Sequence, residues 1–179
     1  MGESKQLLLI RGKPLLQHIL EITLTAGTGE VVVVLGANEG AHRSLVESTN
    51  AQIVFNPHWE SGIGSSIKAG LNYINKHLAN SSAIIISVCD QPYLTSSHFK
   101  TLVNIYLTSH KKIVASSYKN ILGVPALFDQ ALFEVLAKID DSDGAKSVIK
   151  KHADDVVGVP FPFGDIDLDT REDYDTFNQ

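Results

Sequence analysis

Cysteine is almost missing from this chain: among 179 residues there is one, Cys89. A single thiol excludes an intramolecular disulfide framework and a four-thiolate zinc site, and it suits a reducing compartment. Long apolar runs are missing too. The longest, residues 31–35 and 83–86, fall far short of the roughly 18 residues that a membrane-spanning helix needs. The apolar stretch from Leu7 to Ile10 is too short for the core of a secretory signal. A cytoplasmic protein with no membrane partner is therefore expected. Positive charge is also in deficit: 15 Lys and Arg stand against 20 Asp and Glu, a formal net charge of −5. That balance argues against a protein that grips nucleic acid, so any phosphate binding must be local. What the chain does have is bulk, 44% of it hydrophobic. A chain of this length reads as one domain over residues 1–179, with a core that needs no covalent staple.

Short apolar runs alternate with longer segments of helical periodicity, the pattern of a mostly parallel sheet covered by helices, hence an α/β fold. The spacing predicts strands over 31–35, 52–55, 83–88, 112–116, 124–128 and 155–159. It predicts helices from Pro14 to Gly27, over 41–48, from Ile67 to Leu78, and over 95–107, 130–137 and 144–151. A turn is expected across 118–123, and a last helix started by Thr170.

Several sites are excluded by spacing. The seven histidines never lie three or four residues apart, so no helix presents a His pair to a metal. The segment around Gly62 and Gly64 lacks the Gly-Lys-Ser/Thr of a P-loop, and Ile67 stands where a dinucleotide loop would carry its third glycine. No Gly-x-Ser-x-Gly nucleophile turn occurs.

Polar residues at the ends of predicted strands remain, and ligands of open α/β sheets bind there. Asp90 follows an apolar strand and precedes Gln91-Pro92; it reads equally as a ligand for a hard cation or as a turn cap. Residues 61–66 lead into a helix. They read either as an anion cradle of backbone amides and Ser hydroxyls, with Lys68 or Lys5 adding charge, or as a plain loop with Ser65 as N-cap. Trp59 reads as a core cover. Asp165, Asp167 and Asp169 alternate along an extended segment and share a face. Alone they read as a solvated acidic turn; together with Asp90 they favour a metal. Cys89 has no basic neighbour to activate it and reads as core.

The order of these fragments resembles a known family. Met1-Gly2-x-x-Lys5-Gln6-Leu7-Leu8, Gly12-Lys13-Pro14-Leu15-Leu16, Val34-Leu35-Gly36-Ala37 and Asn56-Pro57-x-Trp59-x-x-Gly62-Ile63-Gly64-Ser65-Ser66 come first. Asp90-Gln91-Pro92, Gly123-x-Pro125, Asp143-Gly144-Ala145-Lys146 and Asp167-x-Asp169-Thr170 complete the set. Nearly end to end, the chain resembles the MobA-like NTP transferases, and within them the molybdenum cofactor cytidylyltransferase branch. The resemblance implies a Rossmann-like three-layer α/β/α fold. It implies Mg²⁺-dependent transfer of CMP from CTP to the phosphate of a molybdopterin-type acceptor, with pyrophosphate leaving, and transient contact with a molybdoenzyme or its maturation factor. In that reading Lys5 reaches the triphosphate, and Asp90 and Asp169 bind the metal. Asp167 supports them, Gly36 and Ala37 lie near the base, and Asn56, Gly62, Gly64, Ser65 and Ser66 lie near the nucleotide. The family begins with a strand and a glycine-rich loop ahead of the Met-Gly-x-x-Lys motif, so the resemblance implies a further segment before Met1. Val124 stands where the cytidylyltransferase branch often has His. Transfer from GTP or to another acceptor, and a non-catalytic nucleotide- or cofactor-binding domain, are the alternatives.

Overall fold

The computed structural model describes residues 4–166; Asp167, Asp169 and the helix expected from Thr170 lie outside the described residues. The chain opens with a 3-10 turn, Lys5–Leu7, and a hairpin of two very short strands, β1 (Leu9–Ile10) and β2 (Lys13–Pro14). Pro14 ends β2 rather than entering the helix, so α1 (Leu15–Ala26) starts one residue later. It buries Leu15, Leu16, Ile19 and Leu20 at helical spacing, and Gly27 ends it with φ 61°.

Two strands, β3 (Val32–Leu35) and β4 (Gln52–Phe55), pair in parallel around the crossover helix α2 (Glu39–Val46). After α3 (Ile63–His77) comes a second, four-stranded ladder. It contains β5 (Ala83–Ile86), β6 (Ile113–Tyr118), β7 (Ile121–Asp129) and β8 (Val156–Pro160) in the order β5-β7-β6-β8. Here β6 and β8 are parallel, and β7 runs against both β5 and β6. The sheet is thus mixed. The turn expected across 118–123 shrinks to Lys119 and Asn120, with φ of 44° and 62°. Two positive-φ residues match the twist of a hairpin, so β7 begins earlier than its apolar run suggested.

Side-chain alternation builds the layers. From β6, Ile113 and Ala115 face a cluster with Leu71 of α3, Leu136 of α5 (Phe133–Leu136), and Val148 of α6 (Ala145–Lys151). The intervening Val114 faces Leu102 of α4 (Ser96–Ser109). Also from α4, Phe99 joins Leu15 and Ile19 of α1. Helices therefore cover both faces of the sheet, the Rossmann-like α/β arrangement. The Cys89 side chain packs against the clusters of both ladders.

Candidate functional site

Strand β5 stops at Ile86 and the chain runs on to Asp90, four residues past the carboxyl end of the strand. Asp90 is half-buried, and its Oδ1 is shielded from solvent. The adjacent thiol of Cys89 is pushed up to about 12, first by burial and then by the Asp90 charge, so it is held as the inert thiol.

Gln91 fixes this strand end. Only 2% exposed, it donates from Nε2 to the Val124 carbonyl at 3.1 Å and to the Gly164 carbonyl at 2.8 Å. The first bond reaches into β7. The second reaches the turn after β8, which leads toward Asp165. The Asp165 carboxylate takes an ion pair from Lys119 at 2.5 Å, and that hydrogen bond holds its carboxyl below the usual carboxylate range. Of the three alternating carboxylates, this is the one the described residues include.

A second loop lies at the carboxyl end of β3. Gly36 leaves space that Trp59 fills: a Cβ on Gly36 would come within 2.5 Å of the Trp59 Cβ. Trp59 itself remains 40% exposed, so it lids Gly36 rather than the core. The ring of His42 is hydrogen-bonded to the Ala37 backbone, and its Nε2 lies 2.8 Å from Ser4 Oγ. An open cavity of about 610 Å³ is lined there by Ser4, Leu7, Asn38, Glu39, Gly40 and Ala41. Lys5 follows Ser4 in the 3-10 turn. The structure thus brings the N-terminal segment and residues 38–41, which follow Gly36-Ala37, to one cavity.

Residues 61–66, which read as an anion cradle or as a plain loop, engage several of their donors within the chain. Helix α3 begins at Ile63, earlier than predicted, with Gly62 as its N-cap at φ 124°. The Gly64 amide donates to the Asp141 carbonyl at 2.8 Å. Ser65, 6% exposed, lies with its hydroxyl 2.8 Å from the His58 carbonyl and 2.7 Å from that of Gly62. Asn56, 2% exposed, donates from Nδ2 to Ser65 Oγ and Ser66 Oγ and accepts from the His58 amide. Lys68, expected to lend charge to the loop, instead donates to the Ile139 carbonyl at 3.1 Å and pairs with Asp141. Both glycines are there so that the 140–143 backbone can close on the helix end. Sequence reasoning missed that loop's part in the site because its partners lie some eighty positions away.

Among the described residues no three His, Cys, Asp or Glu side chains converge as a metal site. A cation at Asp90 would draw its other ligands from substrate oxygens, water or the segment beyond Ile166.

A carboxylate lies beyond the edge of a Rossmann-like sheet, with a roomy cavity at a second strand end, an arrangement that suits an enzyme of the nucleotidyltransferase class. The chain belongs to the MobA-like NTP transferase domain family, which matches residues 1–156. The nicotine blue oxidoreductase of Paenarthrobacter nicotinovorans is 30% identical to it over 184 residues, 98% of this chain and 85% of that protein. Among solved structures, the manganese complex of Rv0371C from Mycobacterium tuberculosis H37Rv superimposes with TM-score 0.77 at 20% identity, covering 99% of this chain and 92% of that one. Molybdopterin-guanine dinucleotide biosynthesis protein A from Archaeoglobus fulgidus gives TM-score 0.71 at 14% identity, covering 99% and 90%. These two likenesses are of fold.

Proposed function

We propose that this protein moves CMP from CTP onto the terminal phosphate of a molybdopterin-type acceptor. An acceptor phosphate oxygen bonds to the α-phosphorus, the bond from that phosphorus to the bridging oxygen breaks, and pyrophosphate leaves. The observation that carries the reading is the position of Asp90, beyond the carboxyl end of β5 and held there through the buried Gln91. Hard carboxylate oxygens fit Mg²⁺, and a manganese complex of the same fold supports a divalent ion. Bound there by Asp90 and Asp169, the ion would neutralise charge on the phosphates. Lys5 would hold the triphosphate, and Gly36 and Ala37 would face the base at the cavity. Asn56, Gly62, Gly64, Ser65 and Ser66 would form the braced floor beside it. Such transfer is mostly positioning and charge neutralisation, so no protein nucleophile is needed, in keeping with an inert Cys89.

Pyrophosphate release from CTP with a molybdopterin acceptor tests this. Asp90→Ala removes a ligand and no core volume, so the rate is expected to fall by roughly a hundredfold or more while the thermal midpoint holds. Unchanged turnover in the variant would refute the assignment. Mg²⁺-dependent calorimetry against CTP, GTP, ATP and UTP fixes the base. The oxidoreductase relative favours a second reading, redox chemistry on an organic substrate; that activity would release no pyrophosphate.

A further inference from the structure

Phe163 is placed where folding gives little reason to put it. It is 60% exposed and holds φ 65°, a left-handed conformation that is an outlier for a bulky side chain. Burial does not compensate for that strain, and strained residues concentrate where ligands are held. Its ring sits 5.2 Å from that of Tyr93, tilted by 38°, and Tyr93 is itself 38% exposed. Both residues are anchored to the Asp90 strand end: Tyr93 lies three residues after Asp90, and Gln91 binds the carbonyl of Gly164, the neighbour of Phe163. Tyr93 also walls a cavity of about 270 Å³ with His98, Phe161 and Pro162.

We infer that Tyr93 and Phe163 form a stacking platform for a planar heteroaromatic ring, the ring of the acceptor. Exposed aromatic faces offer area and a π-surface to a flat ring at small entropic cost. The donor base has its own place in the proposed reaction, since the cavity beside Gly36 and Ala37 shares no lining residue with this platform. This inference rests on the proposed nucleotidyl transfer and adds the residues that seat the acceptor's ring.

Calorimetry on the full chain tests it, with free pterin and Mg²⁺-CTP as separate probes. The wild type should bind both. Tyr93→Leu and Phe163→Leu should each weaken pterin about tenfold and leave CTP within twofold. Phe163→Gly removes both ring and strain, so it should lose pterin to the same degree while its thermal midpoint holds or rises. A merely structural ring would instead lower the midpoint with the affinity unmoved. Pterin binding that is absent in the wild type, or unaltered in all three variants, overturns the platform. Weakened CTP with pterin unchanged assigns the platform to the donor base and overturns it as well. If CTP also fails to bind the wild type, the nucleotidyl transfer reading falls with it, whereas CTP binding without pterin sinks the platform alone.

Discussion

At the scale of single residues, two glycines in this chain have opposite meanings. A Cβ on Gly64 would lie 2.2 Å from the Asp140 carbonyl, 2.7 Å from that of Asp143 and 2.9 Å from that of Asp141, all backbone atoms that cannot rotate away. Gly40, in the first turn of α2, has open space around it. Gly64→Ala is therefore expected to destabilise the protein by about 1–3 kcal/mol. Gly40→Ala is expected to stabilise it by about 0.5–1 kcal/mol, through the lost freedom of the unfolded chain. Urea unfolding of the two variants checks both signs. Neither meaning was legible in the sequence, where each residue is a glycine near a helix start. Asn56 makes the same point: its family motif suggests a nucleotide contact, yet its side chain spends its hydrogen bonds on Ser65, Ser66 and the His58 amide. A residue's type limits its chemistry, but its partners arrive from elsewhere in the chain.

At the scale of elements, β4 has the bounds the sequence predicts, because the apolar run 53–55 is broken by Asn56-Pro57. The β1–β2 hairpin was missed, since two residues carry no alternation to recognise. Helix α3 starts four residues before its first predicted apolar position, because the 139–143 loop packs on its glycine-rich first turn and stabilises it there. Helix α4 was easier, for Thr95 caps it in the usual manner, its hydroxyl accepting from the His98 amide at 3.2 Å. Thr95→Ala is expected to cost about 1 kcal/mol, read from the denaturant midpoint and from faster hydrogen exchange confined to the first turn of α4. Equal exchange in the variant would show that packing alone starts the helix.

At the scale of the whole molecule, the acidic balance that argued against nucleic acid is compatible with a triphosphate substrate, because a cation stands between Asp90 and the phosphates in the proposed reaction. The same scale governs pH. His18, His42 and His98, on α1, α2 and α4, are all held below the ordinary histidine value, with burial the leading cause in each. The unfolded chain thus takes up protons that the folded chain refuses. Their stability contribution is fully present above about pH 6.5 and is lost as pH falls through the lowered values. Urea midpoints should stay level from pH 8 to 7 and decline between about pH 6.5 and 5, before most carboxylates titrate. In His98→Gln the decline should be shallower; a steeper one would contradict the burial argument. The seat of Trp59 over Gly36 has one more consequence. It is the chain's only tryptophan, and it rests on the loop proposed to face the base. The native protein therefore carries its own fluorophore at that loop, and its emission colour reports locally on what arrives there, without a label.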